Sequence, residues 1–308
     1  MPSRRTIRLH LLPALLAALC CSGALLAADK SKPVQAVKGE RFQKPEPTRF
    51  LRVLRNAKKQ PKSLETAIVK YVPANGKKTL EVALIGAVHV GDKAYYQKLN
   101  TAFETYDVVL YELVAPRGTR IKKNERNNST FARIIKNVLE LDSQIQQIDY
   151  TKKNFVHADL SFAEMAKAMK KRGHTGFSLF ASVFADMMKQ QNKRMQAANK
   201  GGKPLPEISL ATLLFDPNRA IKLKRIMAEE FAGANAAAGL GGTLNSLLID
   251  DRNKACIKVL DAQVKRGKKR IAIFYGAAHM PDFETRLLKE FGLKRTSVEW
   301  VQAWDLTK

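Results

Sequence analysis

One pattern occurs twice in this 308-residue chain: an apolar, strand-like run that ends in Gly-x-x-His, followed by a helix-like segment and a second apolar run. The first copy ends in Gly86-Ala87-Val88-His89 and the second in Gly276-Ala277-Ala278-His279. An apolar run that leaves through glycine is typical of a buried strand with a tight exit turn. Because the two copies lie near opposite ends of the chain, they predict that both ends meet in one sheet.

The remaining pattern predicts an α/β domain over residues 64–308, with two βαβ-like units at the chain ends and a largely helical insertion from about 120 to 245. Ala74-Asn75-Gly76 lies between apolar, β-branched runs and predicts a hairpin. Ser161-Phe162-Ala163-Glu164 is a capping-box pattern that opens a helix. Strands are predicted over residues 66–72, 79–86, 107–114, 270–275 and 297–303. Helices are predicted over residues 93–105, 131–148, 161–173, 177–196, 210–215, 218–231, 244–266 and 282–291.

The N-terminal segment has the pattern of a secretory signal peptide. Three arginines precede a Leu/Ala-rich run from residue 11 to 26, and Ala27 and Ala28 follow it. We therefore expect residues 1–28 to be removed and the protein to be periplasmic or secreted, with a retained anchor as the alternative. No later stretch is long and apolar enough to span a bilayer, so we expect no transmembrane segment in the mature chain. Residues 29–63 hold 11 Lys/Arg and four prolines and predict a basic linker or a loosely docked arm, in which residues 50–54 could pack as one short element.

The chain is strongly basic, with a formal charge of +26. Removal of residues 1–28 takes away three arginines and no acids, which leaves +23. The cations are spread over the whole chain without interleaved aromatics, and this argues against a nucleic-acid partner. Two interpretations stay open: attraction to an anionic envelope surface, such as lipid or polysaccharide, and a basic solvated surface without a partner.

The two motif histidines suggest a metal site. In open α/β sheets, sites form at the carboxyl ends of the strands, where His89 and His279 would converge if their strands are neighbours. Glu112 lies near the end of a third buried-looking strand and needs a partner there. Two imidazoles and a carboxylate can bind a divalent metal, including zinc, and leave positions for water and substrate.

Two polar residues fall on the apolar stripe of the helix predicted after residue 244. Arg252 and Asn253 share that stripe with Ile249 and Cys256. A buried arginine pairs either with a carboxylate or with a substrate oxyanion. The structural alternative is an ion pair, for example of Arg252 with Glu112 or Asp250.

Two further residues precede the capped helix. His157 and Asp159 form a His-x-Asp pattern that could extend the metal site. Residues at such positions more often cap or pack, and both interpretations stay open.

The sequence resembles the TraB/PrgY/GumN/Tiki family in four short motifs that occur in order. They are Gly86-Ala87-Val88-His89, Tyr111-Glu112-Leu113, Asp251-Arg252-Asn253 and Gly276-Ala277-Ala278-His279. The resemblance implies an α/β fold related to erythromycin esterases and to haem-binding ChaN-like lipoproteins. It also implies metal-dependent proteolysis with manganese or cobalt.

Carried over to this chain, the resemblance makes His89 and His279 metal ligands and Glu112 a ligand or general base. Arg252 would stabilise the developing oxyanion. We therefore expect an exported metal-dependent hydrolase that acts on a peptide or other acyl substrate. The alternatives are a metal-free esterase with His89 or His279 as general base, and a non-enzymatic metal- or haem-binding protein that uses Tyr111, His89 or His279.

Overall fold

The structure is a computed structural model that describes residues 50–76, 79–121, 130–173, 216–232 and 249–307. The predicted signal peptide, residues 29–49 of the predicted linker, and the helices predicted over 177–196 and 210–215 lie outside the described residues.

Strands and helices alternate along the described residues. The strands are β1 (Leu51–Arg55), β2 (Pro61–Pro73), β3 (Glu81–Ala87), β4 (Val90–Gly91), β5 (Val108–Tyr111), β6 (Asp142–Ser143), β7 (Phe155–His157), β8 (Arg270–Gly276) and β9 (Leu293–Asp305). The helices are α1 (Lys93–Phe103), α2 (Thr130–Leu139), α3 (Gln144–Gln147), α4 (Phe162–Lys171), α5 (Arg219–Ala232), α6 (Asp251–Lys265) and α7 (Met280–Glu290). A 3-10 turn over Ala277–His279 joins β8 to α7.

The main sheet has the strand order β9-β2-β3-β8-β5-β7, and β1 pairs with residues 61–66 of β2. Strands β3, β8, β5 and β7 are parallel to one another, so their carboxyl ends meet at one edge. Strand β2 is antiparallel to both β3 and β9. A separate two-stranded sheet pairs β4 with β6.

Apolar side chains cover both faces of the sheet. On one face β3, β5 and β8 pack against Tyr96 and Phe103 of α1 and Phe231 of α5. On the other face the same strands pack against Leu260 of α6 and Phe283 of α7. Strands buried on both sides need near-continuous apolar runs, which explains the runs of β3 and β8.

The α/β fold class predicted from the sequence is confirmed. The hairpin is also confirmed, because β2 and β3 pair across the Asn75-Gly76 turn and Gly76 has the positive φ of 80° that the turn requires. Strands from the two chain ends are interleaved, since β8 lies between β3 and β5. The final strand, β9, pairs with β2 at the far edge rather than with β8.

The sheet begins earlier than residue 64, the predicted start of the domain. Strand β1 and the first residues of β2 already pair within the segment predicted as a linker. Leu51 and Val53 pack against the core, while the guanidinium of Arg52 lies 4.0 Å from the ring centre of Trp300. Few apolar residues are therefore enough to fix a segment whose cations stay at its surface.

The continuous helix predicted over residues 131–148 is wrong. Helix α2 ends at Leu139, and Glu140 has a φ of 57°, in the left-handed region that ends a helix. The chain then forms β6, which pairs with β4, before the short helix α3 begins at Gln144. The insertion also contributes β7 to the main sheet, beside β5. Among the described residues, no helix combines the length and apolarity needed to cross a membrane.

Candidate functional site

Five polar side chains meet at the carboxyl edge of the four parallel strands. His89 follows β3, Glu112 follows β5, Asp159 follows β7, and His279 lies three residues beyond the end of β8. Arg252, in the first turn of α6, reaches this edge from the helical layer. The topology thus brings together residues that are far apart in sequence, at the edge where α/β sheets form their sites.

Glu112 lies at the centre of this group. Its Oε1 accepts a hydrogen bond of 2.7 Å from Nη2 of Arg252, and its Oε2 accepts one of 2.7 Å from the backbone N–H of Gly276. Burial alone would raise the pKa of this carboxyl, but the Arg252 guanidinium and the Gly276 N–H hold it well below its usual range. Glu112 is therefore ionised at neutral pH.

His279 is buried with one ring nitrogen paired and the other unpaired. Its Nδ1 lies 2.6 Å from Oδ1 of Asn253, and the Asn253 amide group donates to the His279 carbonyl and to Asp282. The Asn253 oxygen must therefore accept, so Nδ1 of His279 carries the proton. Burial lowers the pKa of His279 to about 4, so the ring is neutral and Nε2 is a lone-pair acceptor.

The unpaired nitrogen of His279 faces the carboxylate. Nε2 has no hydrogen-bond partner among the described residues and lies 3.6 Å from Oε1 of Glu112. Both atoms are acceptors, so a proton donor or a cation is needed between them. A buried acceptor left unpaired is costly and calls for an explanation of this kind.

His89 has the same arrangement. Its Nδ1 lies 3.2 Å from Oε1 of Gln144, while Nε2 of Gln144 donates to the Tyr150 hydroxyl. Gln144 thus presents an oxygen to the ring, and His89 carries its proton on Nδ1. His89 is only partly buried, whereas His279 is buried.

Gly276 lies next to Glu112, His279 and His89. A Cβ at this position would lie 3.4 Å from Oε2 of Glu112 and 3.8 Å from both Cδ2 of His279 and Nε2 of His89. The two imidazoles and the carboxylate therefore face one small space that glycine leaves open. This space is the pocket referred to below.

Arg252 pairs with two buried carboxylates. Its Nε and Nη2 bind both oxygens of Asp159 at 3.0 and 2.6 Å, and Nη2 also binds Glu112. The side chain of Asp159 is fully buried and that of Glu112 is 9% exposed. Because one guanidinium serves two carboxylates and His279 is neutral, this cluster lacks one positive charge.

The sequence predicted Arg252 either in an ion pair or at a substrate oxyanion. The predicted pair with Glu112 is present, whereas the pair with Asp250 is wrong, because Asp250 binds Lys254 and Arg286 instead. Asp159 lies close to the predicted metal site, but both of its oxygens bind Arg252.

Three of the candidate residues lie outside the pocket. The Tyr111 ring is fully buried in the core against Tyr150 and Phe155, and its hydroxyl donates to the Thr119 carbonyl. His157 packs against Tyr111, and its Nε2 lies 2.6 Å from the Leu113 carbonyl oxygen. Gly86 is packed, since a Cβ there would touch Ala277 at 3.5 Å.

Gln144 is the site residue that sequence analysis missed. It belongs to the last part of the helix predicted over residues 131–148, where nothing marks it out. The only signal was indirect: Glu140-Leu141-Asp142-Ser143 contains two residue types that favour turns and caps.

The donor set is suitable in kind for a divalent transition metal. Two neutral imidazoles and a carboxylate are common ligands, and each imidazole has its other nitrogen fixed by an oxygen acceptor, as metal-binding histidines usually do. Among the residues that the structure describes, however, no group of three or more His, Cys, Asp and Glu side chains is arranged to hold a metal ion. Glu112 is engaged by Arg252 and Gly276, so it would have to share its oxygens with a metal.

Neither protein-family models nor curated proteins nor solved structures give a match to this chain. The resemblance to the TraB/PrgY/GumN/Tiki family therefore stays a prediction from the four motifs.

Proposed function

We propose that this protein is an exported, metal-dependent hydrolase that cleaves peptide or other acyl bonds at the pocket in front of Gly276. The observation that carries the proposal is the unpaired, buried Nε2 of His279, which faces the ionised Glu112 at 3.6 Å. The missing positive charge of the Arg252 cluster also supports it, because a bound cation would supply that charge.

His89 and His279 would hold the metal through Nε2, and Glu112 would share in holding it. When bound, a divalent metal lowers the pKa of a coordinated water and polarises a carbonyl. Arg252 keeps Glu112 ionised, which suits a metal ligand, whereas the same lowering of its pKa makes Glu112 a weak proton acceptor. In this proposal Glu112 therefore acts as a ligand rather than as the general base. In this proposal Arg252 acts mainly through Glu112 and Asp159, and its contact with a developing oxyanion stays a prediction.

The test is elemental analysis of the purified protein after incubation with manganese, cobalt or zinc and removal of free metal. We expect about one metal ion per chain in the natural protein and a large loss in a His89→Ala/His279→Ala variant. The matched control is His157→Ala, because His157 lies outside the pocket and should leave metal binding unchanged. Equal metal content in all three proteins would contradict the proposal.

A second candidate is a metal-free hydrolase in which His279 is the general base. The observation in its favour is that both oxygens of Glu112 already have hydrogen-bond partners in Arg252 and Gly276, with His279 neutral and oriented by Asn253. Ester or peptide hydrolysis that survives full chelation, and that His279→Ala abolishes, would favour it. Haem binding stays a prediction without support in the geometry, because the Tyr111 hydroxyl is bound to Thr119.

A further inference from the structure

We propose that Gln144 and Asn253 are positioning residues that fix both pocket imidazoles as Nδ1–H tautomers and so direct the two Nε2 lone pairs into the pocket. Only the use of the two Nε2 lone pairs, which is metal binding, rests on the proposed function. The tautomers themselves follow from contacts that involve no metal.

The two histidines make the same kind of contact, each with a side-chain amide from a different helix. Each Nδ1 meets the oxygen of a side-chain amide, at 3.2 Å for Gln144 and 2.6 Å for Asn253. The Asn253 NH₂ group donates to the His279 carbonyl and the Asp282 carboxylate, which can only accept, so this amide cannot flip and offer a donor to the ring. The Gln144 NH₂ group donates to the Tyr150 hydroxyl, while the Gln144 oxygen faces the His89 ring. A neutral imidazole whose Nδ1 donates must present its Nε2 as an acceptor.

Gln144 is coupled to His89 through the backbone as well. The N–H of Gln144 donates to the His89 carbonyl at 2.9 Å, and the residues that follow His89 and precede Gln144 pair as β4 and β6. The insertion therefore contacts both the main chain and the ring of His89. This gives the insertion a specific role, since it orients a site residue that belongs to the sheet.

Side-chain amides differ from the carboxylates that often support histidine ligands. A carboxylate behind each ring would add negative charge beside Glu112 and Asp159, in a cluster that already lacks one positive charge. An amide oxygen fixes the same tautomer without that charge. Each ring can thus donate from Nδ1 without an added negative charge behind it.

The experiment is ¹⁵N–¹H NMR of the imidazole nitrogens in the full chain, treated with chelator so that no metal contributes. In the natural protein we expect a protonated Nδ1 and an unprotonated Nε2 for both His89 and His279. A protonated Nε2 on either ring would overturn the inference for that residue, and this measurement needs no variant.

Two variants of Gln144 test its role in His89. Gln144→Met removes the acceptor and should shift His89 towards the Nε2–H tautomer while His279 keeps its own. Gln144→Glu keeps an acceptor oxygen at the same position and should preserve the Nδ1–H tautomer. An unchanged His89 in the Met variant would refute the positioning role, as would equal shifts in both variants.

Titration with manganese separates this inference from the proposed function. If both hold, Gln144→Met should weaken manganese binding by about 10–100-fold, the usual effect of removing a residue that orients a metal ligand. If the natural protein has the expected tautomers but binds no metal, the inference stands and the metal-dependent function fails.

Discussion

Replacement of Arg252 by methionine should destabilise the protein strongly at neutral pH. Arg252 makes three hydrogen bonds to Asp159 and Glu112, and its side chain is 6% exposed. Methionine fills part of the space but leaves both carboxylates without their cation. Breaking a buried ion pair by removing one partner costs about 3–5 kcal/mol, and two carboxylates depend on this one, so we expect a loss of about 4 kcal/mol or more.

Urea unfolding of the natural protein and of Arg252→Met at pH 7 measures this loss. The matched control is Arg55→Met, the same substitution at the Arg55–Glu229 pair, whose side chains are 43% and 42% exposed. An exposed pair contributes about 0–1 kcal/mol, so the control should unfold close to the natural protein. Equal effects of the two substitutions would refute the reasoning.

The pH dependence provides a second check on the same variant. Without Arg252, burial raises the pKa of Glu112 above its value in the unfolded chain, so the folded variant gains a proton as the pH falls from 7 to 5. The natural protein keeps Glu112 ionised over this range, because Arg252 depresses its pKa. The difference in unfolding free energy should therefore shrink on acidification, and a difference that grows would contradict the explanation.

Three further predictions concern single groups. Burial lowers the pKa of His279 to about 4, so the contribution of the neutral ring to stability is complete above about pH 6.5 and declines as the pH falls towards 4. Urea unfolding across this range should show a loss of about 3 kcal/mol in the free energy of unfolding, and His279→Gln should remove this pH dependence. Gly276→Ala places a methyl group at 3.4 Å from Glu112 and at 3.8 Å from atoms of both imidazoles, so it should abolish the proposed metal binding while circular dichroism shows an unchanged fold. Ser161→Ala removes the capping box of α4 and should cost about 1 kcal/mol in urea unfolding, whereas unchanged stability would contradict a stabilising role of the box.

The sequence predicted best where one physical requirement dominates a segment. Strands β3 and β8 need near-continuous apolar runs because both of their faces are covered, and the capping box at Ser161 predicts the helix that follows it. The pattern failed at Glu140, where the apolar spacing of a helix continues but the backbone reverses. Local periodicity cannot indicate that residues 142 and 143 pair with a strand at residues 90 and 91.

The candidate site was likewise predictable only where a residue's place follows from its own strand. His89, Glu112 and His279 could be placed at strand ends, and strands ending at one edge place their following residues together. The partners of Arg252 were harder, because Asp159 comes from a strand that no pattern predicted. Gln144 could not be found, since its role depends on an irregular segment that only the assembled fold defines.

The position of β8 between β3 and β5 also determines when the pocket can form. Strands β3 and β5 are close in sequence but do not pair, and the strand that joins them comes from the distant end of the chain. Pairing across such a sequence separation pays a large loop-closure entropy and is typically slow to form. A chain that has made only its local contacts therefore has His89 and Glu112 but no pocket. The site that we propose for metal binding would therefore form only after β8 has paired with β3 and β5, and the time course of metal uptake during refolding would report that step.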